Sequence, residues 1–585
     1  MLFEIIFAIT ISLLLFYLIS NKRHRDYADP FDYWKKFNVP SPEKSIQKKY
    51  NWNEITRRKA FAYKYIEEYN MFPDEPFYGG YDGFNQVLTI RDNFELIEAV
   101  LVKDFDYFQR TRFCIYSDTV PVNRTEEIIF KSQSVIHGDK WKKVRSVFGP
   151  IFNSDKLELL IPSIKTSNAK LEKLLDLYAN DSANMELKEV FGLYVMDVNV
   201  SCVFGVDSEV FEHGNLSPYI QHVKPFLRFD FFHVIRSILS AMTNITVKQI
   251  LTKLGLGELV AYPNGKHFKY FIDIIEEAFK VRLKSKIKRT DMIDMMINAI
   301  RQNKTEEIKI ETFDTNKNSL PDNKVLKRRK TSSELDAINS GDGRCENDDQ
   351  PKSILKRRKS HYDNPENTKK VENTPPDMLD YDYVIANAAI MLEAGYDVNA
   401  IIMSFAIYFL VLYPDHQRKL QDELDANDLD DKEMLESLPY LDAVLNESLR
   451  LGCVFPVIER VCSKSYRLPN TSIVIEKNQM VKINLSGIFN DEKYFPKPQI
   501  FNPEHFLDKD PRHQNPFMFI PFSAGPRNCP AYKYAILEMK MCLAHIIGKF
   551  DFYPCHKTNS NFEIDNVNYL GGIKGGFWVK CKRRN

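Results

Sequence analysis

One stretch near the C-terminus restricts this chain more than any other: Phe522-Ser-Ala-Gly525-Pro-Arg527-Asn-Cys529-Pro-Ala531. Apolar residues lead into it from Phe517 to Pro521, and a helical run from Tyr534 to Phe550 follows. A single cysteine thus stands where an extended loop enters a helix. Gly525 permits a backbone conformation that a Cβ would block. Pro526 and Pro530 stiffen the loop on both sides of the cysteine. Cys529 lies near a helix N-terminus and close to Arg527, so the expectation is a lowered pKa that favours the thiolate.

Thiolate is one of the axial ligands that hold haem iron. The same residues also read as a buried structural cysteine after a turn. The stretch resembles the cysteine-ligand loop of the cytochrome P450 family, F-x-x-G-x-R-x-C-x-G, through Phe522, Gly525, Arg527 and Cys529. Ala531 stands where glycine is usual. The resemblance implies haem b as cofactor, with Cys529 as the metal ligand. It also implies that Arg527 meets a haem propionate, a carboxylate that suits a guanidinium.

With 585 residues the chain has room for a large core or for several domains. Its net charge of +1 creates no overall pull toward nucleic acid. Nine cysteines without C-x-x-C pairs point to reduced thiols facing the cytosol. Ile5 to Ile19 is nearly all apolar, and Lys22, Arg23, His24 and Arg25 follow at once. A helix from Leu2 to about Ser20 is just long enough to cross a hydrocarbon layer of roughly 30 Å. A cleaved signal peptide and a retained anchor compete here. The basic cluster after the run and the lack of an obvious small-x-small cleavage site favour the anchor, with the body in the cytosol. Microsomal members of the family carry such a segment before a hinge, which Trp34 to Pro40 resembles.

Three further motifs extend the resemblance. Trp141 and Arg145, four apart, share a face of a helix. They match the family's W-x-x-x-R pair on the propionates, although such a pair by itself also reads as a cation–π contact. Tyr381 to Leu412 reads as one long apolar helix carrying Ala394-Gly395-Tyr396-Asp397-Val398-Asn399. In the family's A-G-x-[DE]-T-[ST] pattern, Ala394 and Gly395 open space for dioxygen and Asp397 matches the acid of the proton relay. Val398 replaces the threonine hydroxyl, which implies uncoupling, and Asn399 is expected to hold a water instead. Glu447 and Arg450 match E-x-x-R in a helical context, 432–451. His505 stands where P-E-R-F has arginine, lacking the guanidinium fork and permanent charge. Arg460 matches a further propionate-binding arginine. Gly452, Cys453 and Val454 replace the family's paired prolines beside the substrate site.

Other stretches give coarser signals. Gln86 to Arg91 reads as a strand before a helix at about 93–102, and 157–177 and 185–211 show helical periodicity. The aromatic run from Phe226 to Phe232 reads either as pocket roof or as ordinary core. Tyr569 to Lys582 reads as a hairpin. Asn303 to about Pro376 is polar, nearly free of aromatics, and repeats Val325-Leu-Lys-Arg-Arg-Lys-Thr331 as Ile354-Leu-Lys-Arg-Arg-Lys-Ser360. It reads as a solvated linker, or as a site for phosphorylation at Thr331 and Ser360.

The expected fold is mainly α with small β-sheets, P450-like, with an N-terminal transmembrane helix. The expected organisation is an anchor at 1–21, a hinge at 22–50, haem-domain parts at 51–302 and 377–585, and a disordered insertion at 303–376. The resemblance, closest to the drug-metabolising group of animals, implies a haem-thiolate monooxygenase of lipophilic small molecules. Electrons would come from NADPH through NADPH-cytochrome P450 reductase, at the endoplasmic reticulum membrane, single-pass, with the catalytic domain in the cytosol. A haem-thiolate isomerase or dehydratase and a non-catalytic haem-thiolate binder remain as alternatives.

Overall fold

The apolar run from Tyr381 to Leu412 folds as one helix of 32 residues, about 48 Å long at 1.5 Å per residue. Asp380 starts it by accepting a hydrogen bond from the Asp382 N–H, and Pro414 opens the next helix. The run is apolar enough to cross a membrane, but it is mostly buried inside the protein and serves as its core helix. The computed structural model describes residues 32–56, 61–82, 85–227, 245–254, 265–284, 289–302, 380–429, 431–507, 510–565 and 571–584. The expected anchor, its basic cluster, most of the aromatic run and the 303–376 insertion with Thr331 and Ser360 lie outside the described residues. Residues 302–378 separate from the rest of the chain as a second unit.

The described residues are mainly helical with three small sheets. Six helices position the site: α1 (Gly138–Phe148), α2 (Ile161–Asn180), α3 (Leu187–Phe204), α4 (Tyr381–Leu412), α5 (Pro439–Gly452) and α6 (Tyr532–Lys549). Helix α4 packs most extensively on α3 and also touches α5 and α6. The largest sheet has the order β1-β2-β7-β4, from β1 (Phe77–Asp82), β2 (Asn85–Ile90), β4 (Ile458–Val461) and β7 (Met480–Ile483). Strands β2 and β7 run parallel with Ile90 opposite Ile483, and β4 runs antiparallel to β7 with Arg460 opposite Val481. A second sheet joins β3 (Met185–Glu186), β9 (Trp578–Arg583) and β8 (Phe550–Pro554), and a third pairs β5 (Tyr466–Arg467) with β6 (Val474–Ile475).

Several expectations from periodicity are corrected. The run 185–211 begins as β3, and α3 closes at Gly205, whose φ of +63° lets the chain turn off the helix. The run 157–177 divides into Ser154–Glu158 and α2, which opens around Pro162. The segment 432–451 divides into Lys432–Ser437 and α5, because Leu438 is extended before Pro439. Tyr569 and Leu570 of the expected tail hairpin lie outside the described residues. Strand β9 pairs with β8 and β3, and the nearby bridge joins Ile573 to Ile564. Trp34, in the expected hinge, is buried and donates from Nε1 to the Gly80 carbonyl at 2.9 Å.

Candidate functional site: a cysteine loop facing a buried helix

Gly525 decides the shape of the cysteine loop. Its φ is +72°, and a Cβ there would lie 1.9 Å from the Leu101 carbonyl oxygen. The loop then folds back on itself. The Asn528 N–H donates to the Gly525 carbonyl at 3.1 Å, and the Cys529 N–H donates to the Phe522 carbonyl at 3.0 Å. Ser523 also takes a left-handed φ of +62°. Helix α6 starts at Tyr532, three residues past the cysteine.

The expected lowering of the Cys529 pKa is corrected. Burial pushes the thiol up, and the Ala531 N–H and the Arg145 charge offset this only in part. Arg145, not Arg527, is the guanidinium acting on the cysteine.

Three guanidinium groups gather around this loop. Arg145 on α1 donates from Nη2 to Asn528 Oδ1 at 2.6 Å. Arg460 on β4 donates to Ser523 Oγ at 3.2 Å. Arg527 donates to the carbonyls of Gln133 and Ile136 and to Cys114 Sγ, and its guanidinium lies 4.9 Å from the Trp141 ring centre. Trp141 thus makes its cation–π contact with Arg527 across the chain rather than with its helix neighbour Arg145. Burial, with the Arg527 charge beside it, lowers Arg460 to about 10. Burial also lowers Arg145 and Arg527.

No carboxylate among the described residues pairs with any of the three, and Nε of Arg460 and of Arg527 is buried without a hydrogen-bond partner. Uncompensated buried cations of this kind are costly unless an anion joins them. The arrangement fits a group that brings carboxylates to lie beside a cysteine, as haem does with its two propionates. Arg145, Arg460 and Arg527 are the residues that could hold it, with Phe522 and Gly525 shaping the loop beneath.

On α4 the residues of the A-G-x-D-V segment divide. Ala394 is exposed and Gly395 and Val398 are half-buried, although the helix around them is buried. Asp397 is buried and forms an ion pair with Lys188 of α3 at 2.8 Å. Asn399, expected to hold a water, is instead turned into the core, where its Nδ2 donates to Glu538 Oε2 of α6 at 2.9 Å. Burial raises the Glu538 carboxyl to about 8. This contact ties the helix bearing Val398 to the helix that follows Cys529. Lys188 and Glu538 were missed from the sequence. Glu538 had one signal, an acid in the apolar run 534–550; Lys188 had none.

Glu447 and Arg450 are fully buried and paired through two bonds of 2.7 Å, from Nε and Nη2. Arg450 Nη1 donates to the Phe489 carbonyl at 2.6 Å, and the Asn502 N–H donates to Glu447 Oε1 at 3.0 Å. His505 places Nδ1 3.2 Å from Glu447 Oε1 and Nε2 2.9 Å from the Pro496 carbonyl. Both ring nitrogens thus face oxygen acceptors.

Comparison with known proteins follows the same lines. The family model described as "Cytochrome P450" matches residues 40–319 and 329–571. Cytochrome P450 9e2 of Blattella germanica is 28% identical over 99% of this chain and 97% of its own length. Cytochrome P450 3A9 of Rattus norvegicus is 27% identical over 96% of this chain and 93% of its own. Cytochrome P450 6k1 of Blattella germanica is 25% identical over 92% of this chain and 90% of its own. With a match running through the cysteine loop, the guanidinium cluster and the long core helix, the chain belongs to the cytochrome P450 family, monooxygenases built on haem with a cysteine thiolate as axial ligand.

Proposed function

We propose that this protein inserts one oxygen atom from dioxygen into a lipophilic small molecule, with electrons from NADPH delivered by NADPH-cytochrome P450 reductase. The observation that carries this reading is the cluster of Arg145, Arg460 and Arg527, without carboxylate partners among the described residues, around the Cys529 loop. Haem supplies the oxygen activation when bound. In this reading Cys529 ligates the iron and the three arginines orient the cofactor through its propionates. Trp141 stacks beneath Arg527 and helps hold it in place. Ala394 and Gly395 leave room on the opposite face, and Asp397, paired with Lys188, stands as the acid of the relay. Glu447, Arg450 and His505 brace the segment that leads to the loop. We place the protein in the endoplasmic reticulum membrane through residues 1–21, with 22–50 as hinge, haem-domain parts at 51–302 and 377–585, and 303–376 as an insertion facing the cytosol. The insertion serves as a solvated linker, with Thr331 and Ser360, each behind a basic cluster, as its candidate phosphorylation sites.

The reduced, CO-bound absorption spectrum tests the thiolate. The wild type is expected to show the strongly red-shifted Soret band, and Cys529→Ala to lose it. A variant that keeps the band ends the reading.

Val398 favours a second reading. Position 398 is apolar and Asn399 is engaged by Glu538, so neither of these two positions offers a hydroxyl to steer protons. A haem-thiolate isomerase or dehydratase needs no such relay. Product formed without NADPH or reductase would favour it. Under the monooxygenase reading, Val398→Thr raises product formed per NADPH severalfold and lowers peroxide release in proportion. An unchanged ratio shows that the position does not limit coupling.

A further inference from the structure

Glu393 is an acid to which the haem-thiolate reading gives no task. It precedes Ala394 on α4 and stands four residues before Asp397. In the middle of this buried helix, Ile390, Met391, Glu393, Gly395 and Val398 are half-buried and Ala394 is exposed. Positions 390, 394 and 398 repeat every four residues, so the accessible stripe is one face of the helix, and Glu393 lies on its edge. Asp397, the next acid along, is buried and neutralised by Lys188 of α3 at 2.8 Å. Glu393 has no hydrogen-bond or ion-pair partner among the described residues. Burial alone raises its carboxyl to about 8, with no neighbouring charge contributing.

An acid left unpaired on an apolar wall is costly, and a cation arriving there removes the cost. The stripe around it is apolar through Ile390, Met391, Ala394 and Val398, which suits the body of a lipophilic molecule. We propose that Glu393 makes this site selective for lipophilic cations, pairing a positively charged nitrogen while the apolar stripe takes the rest of the molecule. This rests on the haem-thiolate reading, which turns this face of α4 toward the reacting centre.

The test is equilibrium binding of hexyltrimethylammonium and of its uncharged isostere, with carbon in place of nitrogen, to the haem-loaded full chain. Binding is read from the shift of the haem absorption band. A quaternary nitrogen has no lone pair, so it neither ligates iron nor titrates. The wild type is expected to bind the cation at least about tenfold more tightly than the isostere. The cation takes the ionised carboxyl, so its affinity rises with pH and levels off above about 8. Glu393→Gln loses both the preference and the pH dependence, and Glu393→Asp keeps part of each. Circular dichroism and the CO-bound spectrum establish that the variants are folded and loaded. Equal binding of the two probes by the wild type, or a preference that survives Glu393→Gln, overturns the proposal. An absent thiolate band in the wild type overturns the haem-thiolate reading instead, so the two failures are distinct.

Discussion

Gly525→Ala will yield protein that does not retain haem. The added methyl would lie 1.9 Å from the Leu101 carbonyl oxygen and 2.8 Å from its carbon. Leu101 is itself buried in the turn Ala99–Lys103, so neither backbone gives way cheaply. The left-handed φ of +72° adds about 1–2 kcal/mol for any residue with a Cβ. Relieving both requires the loop to move, and Cys529 moves with it. The measurement is the ratio of Soret to protein absorbance after haem supplementation, expected to fall at least about tenfold. Gly149→Ala is the control, since nothing lies within 4 Å of its added methyl and its φ is ordinary for a helix. A haem-loaded Gly525→Ala protein with the normal CO-bound spectrum would show that the loop tolerates the shift.

Arg450→Met will destabilise the protein by about 3–5 kcal/mol, because it leaves the fully buried Glu447 carboxylate without its main partner. His505 and the Asn502 N–H still reach Oε1, but Oε2 loses its bond from Arg450 Nε. The sign of the pH dependence follows. Burial alone would raise the Glu447 carboxyl, yet the bonds from Arg450 and His505 outweigh it and hold the carboxyl below its ordinary value. In the wild type this stability is fully present above the ordinary carboxylate pKa and is lost as pH falls through the lower folded value. In Arg450→Met burial prevails and protonation relieves the penalty. The stability gap between the two is therefore widest near neutrality and narrows as pH falls. Denaturant unfolding, or inactivation half-lives where unfolding is irreversible, measures it. The double variant Glu447→Met, Arg450→Met should recover part of the loss, since removing both charges also removes the unpaired one. A gap that widens on acidification would refute this assignment of the charges.

Much of the site is legible as short local pattern. The Phe522–Ala531 loop turns at its own Gly525 and closes with bonds between its own backbone groups, so its shape is legible in ten consecutive residues. Tyr381–Leu412 was read with its true ends, because an apolar run that long, bounded by Asp380 and Pro414, has no competing period. Glu447 and Arg450 sit three apart and meet on their own helix. Where local pattern misleads, the deciding contact lies far off in the chain. Strand β9 alternates as a strand should, but its partners are β8 and β3 rather than the residues just before it.

The sequence alone therefore determined the Gly525 turn before Cys529, the long core helix and which acids and arginines those elements carry. Only the tertiary structure decided how they pair: Arg145 beside Cys529, Lys188 on Asp397, Asn399 on Glu538, and no partner for Glu393 among the described residues. The physical reason is that spacing along a helix or turn is set within a few residues, whereas charge pairing and desolvation depend on which elements are packed together. Burial raised the thiol that local charge was expected to lower, and burial is a property of the assembled core.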